Sequence, residues 1–189
     1  MKHKPDTKND KQRDTSGEAP SARYLELGRR SARELEETFL RGSMPDLDAL
    51  IDWEFRGMNV GRLPRLARIR KFVKGFERRE GDKVFGYNRP VEQNRLTSPW
   101  NAGDRRFGWY RVAPVDPTAR DNTYLHAALL DYGRGENPLW DPSRGLRDYL
   151  VQVEPGDRDL YLGKAYYAAG PARLPLSFFV LERLRPAPQ

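Results

Sequence analysis

The stretch that decides the fold covers residues 122–184 and holds four segments of about one strand length each. They read TYLHAALLDY at 123–132, LRDYLVQV at 146–153, LYLGKAYYAA at 160–169 and LSFFVLERL at 176–184. Turn-forming residues separate them, with Gly156-Asp157 before the third segment and Gly170-Pro171 before the fourth. Consecutive strands joined in this way predict an antiparallel meander, which closes most simply into a barrel.

Upstream of the meander, further segments have patterns that are typical of strands. These segments are residues 46–59, 76–79, 83–88 and 105–113. In the first of them Trp53, Phe55 and Gly57 alternate with charged residues, which predicts a half-buried strand. The second and third flank Gly81-Asp82, which predicts a hairpin. Residues 89–99 have an irregular or edge-like pattern that contains a proline near its start.

Two segments carry apolar residues at helical spacing. Residues 21–40 predict an N-terminal helix, which Ser21 could cap and Gly42 could end. Residues 61–74 predict a second, short helix with Pro64 in its first turn. The sequence therefore predicts a mainly β protein: an antiparallel up-and-down barrel of about eight strands, with an N-terminal helix and a short helix after the first strand.

Length and composition limit the classes of protein to which the chain can belong. Its 189 residues suffice for one domain with a core. Residues 1–22 contain almost nothing apolar and predict a disordered polar tail, which leaves 23–187 as a single barrel domain. The absence of cysteine excludes disulfides and thiolate metal sites. Because we find neither an apolar run of roughly 20 residues nor an apolar signal segment, we expect a cytoplasmic protein.

Five short motifs in the body of the chain occur in an order that is typical of one family. They are Leu130-Asp131-Tyr132, Asn137-Pro138, Leu146-Arg147-Asp148-Tyr149, Asp159-Leu160-Tyr161-Leu162-Gly163 and Phe178-Phe179-Val180-Leu181-Glu182-Arg183. This order resembles that of small bacterial domains of unknown function named for a G-x-W-x-G motif in their first strand. More broadly, the element order resembles the lipocalin-like (calycin) barrels. The resemblance implies a barrel, an internal pocket and no known reaction.

The chain departs from that family pattern at three points. Its first strand reads Trp53-Glu54-Phe55-Arg56-Gly57, so that either the leading glycine is missing or the tryptophan is displaced. The loop at 133–145 is longer than in those domains. Tyr149 stands where the family pattern has histidine, so a site built on that histidine does not carry over.

A barrel of about eight strands has room for side chains alone or for one small ligand. Ligand pockets are mostly apolar with a few polar groups, and the predicted strands are rich in aromatic residues. Packing of these aromatics in a filled core is the alternative. The candidate ligand-binding residues are Trp53, Phe55, Phe107, Trp109, Arg111, Asp131, Asp148, Lys164 and Tyr166.

Three of these candidates are charged residues in phase with apolar neighbours of the same strand. They are Arg111, Asp148 and Lys164. If these faces point inward, two cations and a carboxylate converge on an apolar cavity and could hold a ligand carboxylate or phosphate. The opposite parity, with the charges on a solvated outer face, is also allowed because both faces carry apolar residues.

An acid–base enzyme on the same barrel is the second hypothesis. Asp148, Tyr149 and His126 would form its site. His126 or a tyrosine could also ligate a haem, although packing explains a lone histidine as well. We predict no other cofactor and no metal site, since metal sites without cysteine usually need more imidazole. The sequence contains neither a G-x-S-x-G elbow nor a phosphate-binding loop.

The excess positive charge of the chain is concentrated in residues 62–79, which hold eight Lys or Arg and one Glu. The predicted contacts with an anionic surface are Arg62, Arg65, Arg68, Arg70, Lys71 and Lys74. A basic amphipathic helix can dock on anionic lipid headgroups, and a solvated helix face is the alternative. Nucleic acid is a less expected partner, because the sequence contains no motif for an exposed aromatic surface on which bases could stack.

The leading hypothesis is therefore a binding module that takes a small apolar or amphipathic ligand inside a lipocalin-like barrel without covalent chemistry. The first alternative is the acid–base enzyme, of isomerase or hydrolase type. The second alternative is an interaction protein that acts through the basic helix at 62–79.

Overall fold

A computed structural model of the protein describes residues 19–61 and 69–188. In this part of the chain, eight antiparallel strands form a closed barrel in which each strand pairs with the next and the last pairs with the first. The strands are β1 (Trp53–Val60), β2 (Lys71–Arg79), β3 (Lys83–Pro90), β4 (Phe107–Pro114), β5 (Ala128–Asp131), β6 (Leu146–Gln152), β7 (Leu160–Ala169) and β8 (Ala172–Pro186). The predicted up-and-down barrel is confirmed.

The strands of the meander lie close to where the sequence places them. β7 has the predicted bounds, and β6 ends one residue earlier than predicted. β5 is much shorter than the predicted segment and begins only at Ala128. β1 begins at Trp53 rather than at residue 46, because turns occupy the preceding residues. The Asp46 carboxylate accepts a hydrogen bond from the Asp48 amide, and Asp52 has a positive φ of 62°, so the chain cannot be extended there.

The helix predicted over residues 61–74 is wrong at its end, because Lys71 already begins β2. Residues 62–68 of that prediction lie outside the described residues. Phe72 and Phe76 both face the barrel interior, as the period of two in a strand requires. The helical spacing of apolar residues was therefore misleading in this segment, since both faces of β2 are covered and both carry apolar side chains.

The N-terminal helix is two helices, α1 (Ala22–Leu27) and α2 (Ala32–Arg41). Ser21 caps α1, as predicted, through a hydrogen bond from the Tyr24 amide. Ser31 interrupts the helix because its side chain and that of Glu34 form a capping box that starts α2. Gly42 follows α2 as its C-cap.

Both faces of the barrel wall are covered. Inside lies a core that includes Phe55, Phe76, Tyr110, Tyr161 and Leu181. Outside, α1 and α2 pack on the wall and form a second core. Among its members are Tyr24, Leu27, Leu35, Phe39, Leu162 and Val180. A residue can therefore be buried on either face of β7 or β8.

Four glycines lie directly across from aromatic residues on the neighbouring strand. The pairs are Gly57 with Phe72, Gly75 with Tyr87, Gly86 with Tyr110 and Gly163 with Phe179. In each pair the aromatic ring lies over the glycine, where a Cβ atom would stand within about 2.3 Å of it. Gly57 and Gly163 thus set the positions of two phenylalanine rings inside the barrel.

Replacing Gly163 with alanine should test this arrangement. The added Cβ would stand 1.9 Å from the Phe179 ring, so the ring must move. We expect the free energy of unfolding to fall by about 1–3 kcal/mol, as measured by urea denaturation. Gly103→Ala is the matched control, because its Cβ meets only Pro90 at 3.8 Å. Equal stability of the two variants would contradict the ring position described here.

Candidate functional site

The interior of the barrel is filled at one end and hollow at the other. At the filled end Phe55 stands edge-on to Phe76 and Tyr161, with ring centroids 5.5 and 5.4 Å apart. At the other end, where β1 ends and β2 begins, lies a cavity of about 240 Å³. Its lining is Asn59, Ile69, Phe72, Lys74, Asn88, Phe107, Gly108, Tyr132, Ser143, Leu146, Asp148, Ala165, Leu176, Ser177 and Phe179. This cavity is the candidate functional site.

A cluster of four polar side chains forms one part of the cavity wall. Lys74 Nζ lies 3.2 Å from Asp148 Oδ2, 2.5 Å from the Tyr132 hydroxyl and 3.1 Å from Asn88 Oδ1. The Tyr132 hydroxyl donates to Asp148 Oδ2 at 3.1 Å. All four residues are buried, and we refer to them as the polar cluster.

Three separate parts of the barrel bring the polar cluster together. Lys74 lies between two inward phenylalanines in β2, and Asn88 is its cross-strand partner in β3. Asp148 comes from β6. Tyr132 begins a 3₁₀ turn directly after β5, and Asp131 caps that turn by accepting from the Gly133 amide. The ion pair therefore joins strands that are not neighbours in the barrel wall.

Burial and attraction act in opposite directions on this ion pair. Burial lowers the pKa of Lys74, and the nearby Asp148 charge partly opposes that shift. Burial likewise raises the pKa of Asp148, against the Lys74 charge and the hydrogen bonds from Lys74 and Tyr132. Aromatic rings surround the ammonium, with Nζ 4.6 Å from the Tyr110 centroid and 5.4 Å from that of Phe179.

Of the residues predicted to bind a ligand, the structure brings Phe107 and Asp148 to the cavity. Phe55 is also inside but belongs to the filled end. Trp53 is half-buried, and the Arg183 guanidinium lies 4.3 Å from its ring. Asp131 is paired with Arg147 at 3.0 Å and does not line the cavity.

The other predicted ligand contacts lie on the outer face of the wall. In β4, burial alternates so that Trp109 and Arg111 are the more exposed positions on either side of buried Tyr110. Lys164 reaches α2, where it pairs with Glu36 at 2.6 Å. Tyr166 packs there as well, against the Tyr149 ring at 5.8 Å. The predicted convergence of Arg111 and Lys164 on a pocket is therefore wrong.

The three residues of the predicted acid–base site are not brought together. Asp148 faces the cavity, whereas its neighbour Tyr149 belongs to the core beneath the helices. His126 lies on that outer side too, with Nε2 3.1 Å from the Phe39 carbonyl of α2. The haem ligand suggested at His126 therefore does not line the cavity.

The predicted anionic-surface contacts fall into three groups. Arg62, Arg65 and Arg68 lie outside the described residues. Arg70 is exposed. Lys71 and Lys74 are buried, on opposite faces of β2.

Lys71 is held on the outer side of the barrel. Its Nζ donates to Asn94 Oδ1 at 2.5 Å and to the Arg95 carbonyl at 3.2 Å. Its ammonium also lies 4.4 Å from the Trp100 centroid. Lys71 therefore holds the β3–β4 loop against the barrel wall and is not exposed to solvent.

Sequence reasoning missed most of the polar cluster. The sequence pattern places Lys74 on a basic surface and does not single out Tyr132 or Asn88 as ligand contacts. One signal was available: Phe72, Lys74 and Phe76 alternate at the strand period, which places a lysine on the same face as two phenylalanines.

Comparison with known proteins adds no family assignment. No family model matches this chain, and a search of curated proteins finds no match. Within 19–61 and 69–188, no helix is long and apolar enough to span a bilayer. Nor does any group of three His, Asp or Glu side chains suited to a metal ion occur in those same ranges. The structure shows a closed antiparallel barrel consistent with a lipocalin-like fold.

Replacing Lys74 with methionine should leave the Asp148 charge buried without its counter-ion. We expect the free energy of unfolding at neutral pH to fall by about 3–5 kcal/mol. Burial raises the Asp148 pKa, so the folded variant binds this proton more tightly than the unfolded chain does. The loss should therefore grow as the pH rises from about 4 towards 7, which urea denaturation at several pH values measures.

Two variants serve as controls for that measurement. Lys83→Met removes an exposed lysine that pairs with Glu80, and should leave stability nearly unchanged. Combining Lys74→Met with Asp148→Asn removes both buried charges and should restore much of the lost stability. A Lys74→Met protein as stable as the wild type at every pH would show that the ion pair is absent.

Proposed function

We propose that this chain is a binding protein that holds one small, largely apolar molecule with a single polar group in the hollow end of its barrel. The observation that carries the proposal is a cavity of about 240 Å³ whose wall is mostly apolar but includes the polar cluster. Pockets for small ligands combine a mainly apolar lining with a few placed polar groups in the same way.

The size of the cavity limits the ligand. It is smaller than the roughly 300–1,000 Å³ of pockets for drug-sized molecules. It is larger than an apolar cavity of about 150 Å³ that accepts benzene. By proportion, a ligand of roughly ten non-hydrogen atoms would fill it.

The chemistry of the lining suits reversible binding. Phe72, Phe107 and Phe179 supply flat apolar surface, and Leu146 and Leu176 add aliphatic surface. Transfer of an apolar molecule from water into such a lining is favourable by about 25 cal/mol per Å² of surface removed from water. Lys74 and Asp148 neutralise each other, so the cavity does not require a charged ligand.

The assignment to the G-x-W-x-G type of domain is part of this proposal. Gly163, from one of the motifs that carried the resemblance, lies across from the cavity-lining Phe179, and Gly57 of the first strand lies across from Phe72. The need for space beside the Phe179 ring would explain the glycine at position 163 of the pattern.

Calorimetric titration with indole, a soluble molecule of suitable size, tests the proposal. We expect saturable binding of one indole per chain. Ala165→Leu places extra carbon atoms in the cavity lining and should weaken binding at least about tenfold by steric overlap. Ala169→Leu makes the same change at an exposed position of the same strand and should bind like the wild type.

Native mass spectrometry of freshly purified protein gives a second test. An added mass that disappears on denaturation would identify a ligand that the protein retains. If indole does not bind, and Ala165→Leu leaves the uptake of every retained molecule unchanged, the cavity is not a binding site and the proposal fails.

A further inference from the structure

The polar cluster carries information about which kind of polar group the ligand presents. Lys74 has three N–H donors and no acceptor. Its three close neighbours, Asn88 Oδ1, the Tyr132 hydroxyl and Asp148 Oδ2, can accept all three protons. A protonated Lys74 therefore already faces three acceptors of the protein, two of them in hydrogen bonds, and a ligand anion would have to compete with them.

The two neutral side chains of the polar cluster, Asn88 and Tyr132, already have hydrogen-bond partners as well. Asn88 accepts from Lys74 through Oδ1, and its Nδ2 donates to the Gly108 carbonyl at 2.9 Å. Because a carbonyl can only accept, this contact fixes the orientation of the amide. Tyr132 accepts from Lys74 and donates its one proton to Asp148 Oδ2.

Asp148 is different, because its hydrogen bond from Tyr132 and its ion pair with Lys74 both use Oδ2. Its second oxygen, Oδ1, receives no hydrogen bond from the described residues. Asp148 is 4% exposed and lines the cavity. A carboxylate oxygen at a cavity wall with no donor from the protein can accept a charge-assisted hydrogen bond from a ligand, which stabilises the complex.

We infer that the ligand is a neutral hydroxyl compound, a small phenol or aryl alcohol, whose O–H donates to Asp148 Oδ1. The inference rests on the proposed function, because it names the class of ligand for the same cavity. An aromatic ring suits the phenylalanines of the lining, which can contact its face and edge.

The cavity disfavours a charged ligand, whether it is an anion or a cation. An anion would approach the Asp148 carboxylate and would find the Lys74 protons already shared among three acceptors. A cationic amine would approach Lys74, whose ammonium lies only 3.2 Å from that carboxylate, and the two like charges would repel. A neutral donor avoids both costs and makes a charge-assisted hydrogen bond.

The first measurement uses 4-nitrophenol with the wild-type protein, because its phenolate is yellow and its neutral form is nearly colourless. The inference requires the neutral form to bind beside the carboxylate, which raises the pKa of the bound phenol. Adding protein at neutral pH should therefore fade the yellow colour in a saturable way. A deeper yellow would show a phenolate held by Lys74 and would overturn the inference.

The second measurement compares 4-ethylphenol with 4-ethyltoluene by calorimetry. The two have the same shape, but the methyl group of the second cannot donate to Asp148. We expect the phenol to bind at least about tenfold more tightly. Equal binding of both compounds would overturn the inference while leaving the proposed function intact. If neither compound nor indole binds, and Ala165→Leu leaves the uptake of every retained molecule unchanged, the proposed function itself is refuted.

Variants then test whether the polar cluster causes the preference for 4-ethylphenol over 4-ethyltoluene. In the combined Lys74→Met and Asp148→Asn protein, 4-ethyltoluene should still bind, and the preference for the phenol should fall below about threefold. Glu36→Gln alters a carboxylate on α2, outside the cavity, that is paired with Lys164, so the full preference should remain. A tenfold preference that persists in the combined variant would assign it to another group and overturn the inference.

Discussion

An ion pair between Lys74 and Asp148, with Nζ and Oδ2 3.2 Å apart, crosses the inside of the barrel. Burying two charges costs several kcal/mol per ion unless close geometry and further hydrogen bonds compensate. Tyr132 and Asn88 supply those hydrogen bonds, so the four side chains must be positioned together. Because β2, β3, β6 and the turn after β5 each contribute one residue, the polar cluster fixes how these elements face one another.

The contrast between the two ends of the barrel follows from which side chains face inward. At the filled end, the Phe55 ring packs edge to face against Phe76 and Tyr161, and the three rings fill the interior. At the hollow end, Phe72 and Phe179 lie over the glycines across from them. The rings therefore lie near the wall instead of in the centre, and the cavity is the space between them and the polar cluster.

The outer face of the wall is unusual in that it also buries charge. Glu54 is fully buried there, with Arg89 and Arg185 each 2.8 Å from one of its carboxylate oxygens. Lys71 is buried on the same side by the carbonyl groups of the β3–β4 loop. Charged residues of this chain are thus poor markers of solvent exposure, so the cluster of basic residues in the sequence does not mean that Lys71 and Lys74 are exposed.

The sequence by itself determined the number and order of the strands and the bounds of β7, whereas β2 begins inside a segment with a helical pattern and β5 is much shorter than its pattern. It also identified Asp148 and Phe107 as candidates for a pocket. Only the tertiary structure decided that Asp148 faces inward and that Lys164 faces α2. The reason is that a period of two shows which residues share a face but not which face is inside. Here helices and a loop cover the outer face, so both faces carry apolar residues, and the inward face is decided by contacts between strands far apart in sequence.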